Sequence, residues 1–375
     1  MDTRSEIAVS IESISNVKNQ RTLVNQSINI ALNRVYESHD FPYYLNEKSI
    51  ETVDNYNTGT VEVTNGSKTV DGTDTVWTAA MVGRKFRVQN ERAYYKIAAF
   101  VSGTEITLEE NYQGEDNSGL TYEIYKDEYR LAADVDKYKL IRQLENGTPL
   151  FSAHPALFDS TYPTPENMGN PYIETMIGTK LDTYTTGTVT ATVNTNTITG
   201  SATALFTSVE GLGRTSKLRI GNNVYTVKSV DSATSITTYE VIVATATDST
   251  YEVTLNNLVV QLYDIPDAQR LLYYRFFRKP AMLANDYDIP DMPHGWIWLL
   301  MYGGLSIVLM QKGDVNKAQQ EAEARFLQGL GQMKLKLGSF TPDRTYHRKS
   351  GDGMKGMNLD GLETPNFSRS VSMPR

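Results

Sequence analysis

Thr58-Gly59-Thr60-Val61-Glu62-Val63 returns 128 residues later as Thr186-Gly187-Thr188-Val189-Thr190-Ala191. The landmarks behind it return in the same order: Gly72 and Gly200, Trp77 and Phe206, Gly83-Arg84 and Gly213-Arg214, Tyr95 and Tyr225. The offset drifts only between 128 and 132, so insertions are small and fall in turns. Self-similarity of this length is a statement about architecture. Each copy carries short alternating runs, such as residues 61–63, 85–88, 94–97 and 105–108, broken by Asn-Gly, Asp-Gly and Ser-Gly turns. This spacing predicts about five strands per copy, a meander or small barrel. The threonine-rich second copy suits a pleated, half-exposed surface.

The flanks read differently. Ile7, Ile11, Ile14 and Val17, then Val24, Ile28, Leu32 and Val35, follow helical spacing, with a phase break at residues 19–21 that predicts two helices. Pro42 ends this stretch, because the residue before proline is pushed out of the helical well. Residues 50–53 suit a strand leading into the first module, and residues 127–144 and 148–171 read as loops with short strands. Residues 257–263 and 270–278 are expected to form a hairpin. Asp291 then stands where an N-cap belongs, ahead of Pro293 and an apolar helix running to Met310. Asp314 is placed to cap a last helix carrying Ala318, Ala322, Phe326, Leu330 and Met333 on one face, with Gly338 closing it.

The expected fold class is therefore α+β: a discontinuous helical core carrying two inserted, duplicated all-β modules, with an extended C-terminal arm. The boundaries expected are 1–57 for the N-terminal core, 58–125 for module 1, 126–185 for a connector, 186–253 for module 2, 254–339 for the hairpin and C-terminal helices, and 340–375 for the arm.

Composition narrows the function. A net charge of −8 and a pI near 5.2 argue against a general nucleic-acid binder that neutralises many phosphates. There is no cysteine, hence no disulfide, thiolate zinc site or thiol nucleophile. The longest apolar run, residues 296–310, is short of the roughly 20 residues a membrane span needs. The N-terminus lacks the layout of a secretion signal. His39, His154, His294 and His347 show no metal-ligand spacing. Gly351-Asp352-Gly353-Met354-Lys355-Gly356 has glycines at phosphate-loop spacing but no strand before it or helix after it. Tyr-Asp-Ile-Pro-Asp occurs at 263–267 and 287–291, where turn chemistry explains the aspartates better than calcium does. Trp77, Phe206, Tyr95 and Tyr225 are expected to fill the small β cores rather than to stack sugars. No catalytic, cofactor or metal residue is assigned. From Phe340 onward helical and strand patterning fades, and six Lys/Arg face four Asp/Glu; the net of +2 leaves −10 on the rest of the chain. Such a segment cannot bury enough surface to fold alone, and is either floppy or orders on a partner.

Several stretches resemble one family. Tyr36-Glu37-Ser38-His39-Asp40-Phe41-Pro42, Asp127-Glu128-Tyr129-Arg130-Leu131-Ala132-Ala133-Asp134-Val135, Tyr273-Tyr274-Arg275 with Lys279-Pro280, and Asp288-Ile289-Pro290-Asp291-Met292-Pro293 are similar to the head-to-tail connector, or adaptor, proteins of tailed bacteriophages. Trp77-Thr78-Ala79-Ala80-Met81-Val82-Gly83-Arg84-Lys85-Phe86-Arg87-Val88 looks like a β-domain common in phage virion proteins. The chain departs from the pattern at Ala133, where proline is usual, and in its second module.

The resemblance implies a structural virion protein of the phage neck, assembled in the host cytoplasm as a ring, usually of twelve copies. The ring would sit between the portal protein and the tail, nozzle or stopper proteins, with DNA passing through its lumen unbound during ejection. It would place Phe340, Arg344, Tyr346, Arg348, Lys349, Lys355, Phe367 and Arg369 on a portal-docking arm. Trp296, Trp298, Tyr302, Phe326 and Leu330 would pack subunit against subunit. No cofactor, enzyme activity or membrane contact is expected. The alternative is a tail or capsid decoration protein whose β-domains grip a ligand or the capsid. A tail glycosidase or depolymerase stands behind both, because the chain carries no recognisable catalytic constellation and no β-helix repeats, although a glycosidase pair of carboxylates comes from distant positions.

Overall fold

The computed structural model describes residues 3–16, 20–145, 147–163, 166–313 and 317–338. The chain is α+β, with more strand than helix. It opens with α1 (Arg4–Ser15), α2 (Arg21–Ser38) and β1 (Leu45–Glu51). Seven short strands follow: β2 (Thr60–Val63), β3 (Thr69–Thr73), β4 (Lys85–Val88), β5 (Tyr95–Ser102), β6 (Glu105–Leu108), β7 (Asn117–Leu120) and β8 (Tyr122–Tyr125). The middle of the chain holds β9 (Glu128–Arg130), β10 (Val135–Gln143), β11 (Phe151–Ala153), α3 (Pro155–Thr161), β12 (Met168–Gly169) and β13 (Ile173–Tyr184). Then come β14 (Val189–Ala191), β15 (Thr197–Gly200), β16 (Lys217–Ile220), β17 (Asn223–Ser232), β18 (Ser235–Thr238), β19 (Ala246–Ser249) and β20 (Tyr251–Tyr263). The chain finishes with β21 (Ile265–Pro266), β22 (Leu271–Arg278), α4 (Trp298–Gln311) and α5 (Lys317–Leu337).

Helices α1, α2, α4 and α5 share one core, to which Phe41, Tyr44, Phe277 and Leu283 also belong. Thr3 and Glu6 form a reciprocal capping box at the start of α1, satisfying N–H groups that a helix end leaves free. The body is not helical alone. β1 and β10 flank β22 in an antiparallel three-stranded sheet whose inner face joins Ile50, Ile141, Leu272 and Phe276 to Tyr129 and Leu262.

Five local expectations are corrected here. Residues 257–263 and 271–278 form no hairpin: β20 pairs with β13, β16 and β9, whereas β22 pairs with β1 and β10. Each apolar run is long enough to be central in its own sheet, and local alternation does not name the partner. The strand expected at 50–53 runs from Leu45 to Glu51 and belongs to the body. Residues 127–171 hold the nine-residue β10 and the helix α3 as well as loops. Asp291 does not cap: its carboxylate accepts from Arg278 (2.6 Å) and Arg214 (3.1 Å), while Pro293 precedes a 3-10 turn that leads into α4. On α5 Ala318 is exposed and Gln319 buried in its place; Asp314 lies outside the described residues.

The two stretches that resemble each other in sequence pair in the same relative order. The first runs β7-β2-β3-β6-β5-β4-β8 and the second β19-β14-β15-β18-β17-β16-β20, every neighbour antiparallel. Each encloses its own apolar core, around Trp77, Phe86 and Tyr122 in one and Phe206, Leu218 and Tyr251 in the other. Gly72 and Gly200 do the same work: a Cβ at either would lie 2.8 Å from the ring of Trp77 or Phe206. Tyr122 and Tyr251 close each unit by donating their hydroxyls to the Thr58 and Thr186 carbonyls, at 2.6 and 2.7 Å. Each unit has seven strands rather than five. β3 and β7 are rich in Gly, Asp, Asn and Ser, residues that read as turns until a neighbouring strand supplies the pairing.

The second unit is continuous with the body through β13 and β20, paired over Ile173–Tyr184 and Val253–Tyr263. β20 runs unbroken from the core around Tyr251 to the body core around Leu262.

Candidate interaction surface

Helix α4 is apolar on almost every side because other helices cover it. Gly303 and Gly304 allow close approach: a Cβ at Gly303 would lie 2.9 Å from both Ala31 on α2 and Phe326 on α5, and one at Gly304 would lie 2.8 Å from Ile11 on α1. α5 turns Ala322, Phe326, Gly329, Leu330 and Met333 inward. Phe326 (1% exposed) and Leu330 (7%) are therefore spent inside the chain, and their expected place between subunits is corrected. Their 3-4 spacing belongs to the inner face of an amphipathic helix. Trp296, Trp298 and Tyr302 are half-buried and form one ladder, with ring centroids 6.3 and 5.9 Å apart. α5 holds this ladder from the side. Gly329 lies where the Trp298 ring crosses the helix, Arg325 donates to the Tyr302 hydroxyl (2.8 Å), and the Lys336 ammonium lies 5.7 Å from the centre of the Trp296 ring. Phe340, Arg344, Tyr346, Arg348, Lys349, Lys355, Phe367 and Arg369 lie outside the described residues.

Two features escaped the sequence reading. α5 carries a second apolar stripe, Ala324, Leu327, Gly331 and Leu335, turned away from the bundle, with Leu327 53% and Leu335 81% exposed. Its 3-4 spacing is visible in the sequence, but the inner stripe already accounted for a helix. The second is Tyr287, 87% exposed in the loop before α4. The identical pentapeptide at 263–267 buries its Tyr263 against Phe158 and Tyr162.

The densest charge cluster joins the first β-unit to the body. The Lys85 ammonium donates to Asp127 (2.8 Å) and lies 3.3 Å from Glu128, both Lys85 and Asp127 being almost fully buried. Gln261 on β20 donates to the same Asp127 oxygen (2.8 Å), and the Leu262 N–H donates to the Asp127 carbonyl (2.8 Å). Burial opposes the charge of Lys85, but Asp127 and then Glu128 more than offset it and hold the ammonium above its ordinary pKa. Burial likewise works against Glu128, and Lys85, Lys96 and Lys180 outweigh it, so this carboxyl lies below its ordinary range. These groups are paired with one another, although Asp127 Oδ1 is buried without a hydrogen-bond partner. Among the described residues no group of three or more His, Asp or Glu side chains converges on a cation position. His154 caps α3 and His39 meets Phe41 edge-on. Trp77, Phe206, Tyr95 and Tyr225 are all buried in the β cores, so none offers a platform for a sugar.

Residues 167–348 match the family model of the SU10 adaptor protein. The match spans just under half of the chain: the second β-unit, β22, the loop of Tyr287, α4, α5 and the start of the arm. It supports the resemblance to phage head-to-tail adaptors. The SU10 adaptor match leaves α1, α2 and the first β-unit outside it. No curated protein matches the chain. No helix among the described residues is long and apolar enough to cross a membrane.

Proposed function

We propose that this chain is a head-to-tail adaptor that assembles as a closed ring, expected to have twelve copies, between the portal protein and the tail. The SU10 adaptor match over 167–348 carries the reading. The half-open ladder of Trp296, Trp298 and Tyr302 and the outward stripe on α5 support it, because a lone bundle gains nothing from exposed leucines along a helix already packed on its other side. The N- and C-terminal parts form the subunit body, and residues 58–125 and 186–253 are a duplicated module inserted into it. The arm from Phe340 reaches the portal, and tail or nozzle proteins bind the opposite face. The acidic balance of the chain suits a conduit through which DNA slides without sticking. Assembly takes place in the host cytoplasm, and the finished ring belongs to the virion neck.

Native mass spectrometry of the purified chain, alone and with portal, tests this. The expected species is one closed oligomer, retained on the portal. A chain that stays monomeric in both conditions refutes the ring. Removal of residues 341–375 should abolish portal binding while sparing the fold; unchanged affinity refutes the arm.

A further inference from the structure

The loop between β22 and α4 is tied to α1 and α2, yet it shows three of its apolar side chains to solvent. The Arg4 and Ser5 N–H groups donate to the carbonyls of Asp288 (2.9 Å) and Asp286 (3.0 Å). Asp288 Oδ2 accepts from the N–H groups of Ala284 and Asn285, both at 2.7 Å, and Leu283 and Asn29 exchange a pair of hydrogen bonds. On this fixed backbone Tyr287 is 87% exposed, and Met282 and Ile289 are more than half exposed. Scattered apolar residues on a surface need no explanation. An aromatic held on an ordered loop is different: it loses little freedom when it enters a partner, which is the property of a binding hot spot.

The complement lies elsewhere on the same chain. α1, to which the loop is tied, and α5 pack on different faces of α4, and the Ala324–Leu335 stripe faces away from the bundle. The charges are opposite. α5 carries four Lys/Arg against two Glu, a net of +2. α1 has a net of −1, and residues 280–293 carry three Asp and no Lys or Arg; with Asp291 set aside, because Arg214 and Arg278 neutralise it, the loop side sums to −3. Two different, complementary surfaces on one chain make a heterologous contact, which closes a ring where a self-matching surface would stop at a dimer. We infer that the 282–289 loop of one copy docks, Tyr287 foremost, onto the Ala324–Leu335 stripe of the next copy's α5. The inference rests on the ring reading and names the surfaces that would build it.

The test uses the full chain with Tyr287→Asp or Leu335→Asp, each substitution at an exposed position, with circular dichroism to check the fold. Where the wild type forms a ring, each variant alone should be monomeric, its self-affinity weakened on the order of 30-fold or more. Mixed in equal amounts, the two variants should form a 1:1 pair that grows no further, since the mixture holds one intact loop and one intact stripe per pair. A ring that either variant still forms overturns the contact while sparing the ring. Variants that are monomeric alone and remain so when mixed also overturn it, because they then act on different contacts. A monomeric wild type overturns the ring reading and this contact together.

Discussion

Replacing Asp127 with alanine should loosen the first β-unit from the body. Asp127 and Lys85 are 3% and 6% exposed at the side chain, so removing the carboxylate strands an ammonium where water cannot reach it. Breaking one partner of a buried pair costs about 3–5 kcal/mol. Glu128, 3.3 Å from Lys85 and 24% exposed, remains as a substitute, which puts the loss near about 3 kcal/mol. Lys85→Met should cost a similar amount, because Asp127 keeps only its bond from Gln261. The double change Lys85→Met with Asp127→Leu should return to within about 1 kcal/mol of wild type, since an apolar pair demands no desolvation. The chain has several separate cores, so a global melt is a poor gauge. Hydrogen exchange reads the opening directly: the amides of β4 and of Leu262 should exchange about 100-fold faster in Asp127→Ala, the equivalent of about 3 kcal/mol. The sign of the pH effect follows from the shifts. Glu128 is lowered, so its contribution is full above about pH 4.3 and is lost as pH falls through its folded value. Lys85 is raised, so its contribution is full below about pH 10.4 and is lost as pH rises through its folded value. Protection at these amides should therefore be flat between those limits and fall outside them. Exchange within threefold of wild type in Asp127→Ala would show that the pair is solvated in solution, and the reasoning would fail.

Three further changes test other parts. Burial raises the Glu174 carboxyl, and hydrogen bonds with Tyr138 and Ser152 compensate only in part, so its ionisation works against the fold as pH rises above about 4.3. Glu174→Gln keeps an acceptor for the Tyr138 hydroxyl and should be more stable than wild type at pH 8 and level with it at pH 4 in urea titrations. Gly329→Ala should destabilise by up to about 2 kcal/mol. Helix propensity favours Ala by about 1 kcal/mol, but the new Cβ would overlap Trp298 and lie 2.5 Å from Leu299, and overpacking costs about 1–3 kcal/mol; a gain in thermal stability would contradict this packing. Asp291→Ala leaves Arg214 and Arg278 without their shared carboxylate and should cost about 1–3 kcal/mol, with a loss that shrinks in high salt.

The helices and the strand-rich stretches were legible because their signals are local and redundant. The phase break at 19–21 separates α1 from α2, and glycine-to-aromatic spacing marks the same packing at Gly72 with Trp77 and at Gly200 with Phe206. Pairing was not legible. β20 and β22 are near neighbours in sequence with similar apolar content, and nothing local says that one joins β13 and the other β1 and β10. Asp291 is another case: its position before Pro293 is that of a cap, and only the fold brings Arg214, 77 residues away, to claim it. The apolar faces of α5 were half legible: the inner one, with Phe326 and Leu330, follows from the spacing, while the outward one was masked by it. One helix can bear two apolar stripes, and sequence alone does not say which of them the chain keeps for itself.

The two β-units share a strand order but are wired to the body differently, and the difference bears on assembly. The first is stapled through Lys85 and Asp127 to β20, away from the α4 loop. The second reaches that loop directly: Asn285 donates to the Tyr239 carbonyl, and Arg214 donates to Asp291 at the loop's far end. Asn285 is also one of the residues whose N–H is held by Asp288, immediately beside Tyr287. The second unit is thus fastened at two hydrogen-bonded points to the loop proposed to bridge subunits, whereas the first is fastened to β20. The same strand plan therefore serves two mechanical positions, and the fastening side chains outside the repeated pattern decide which is which.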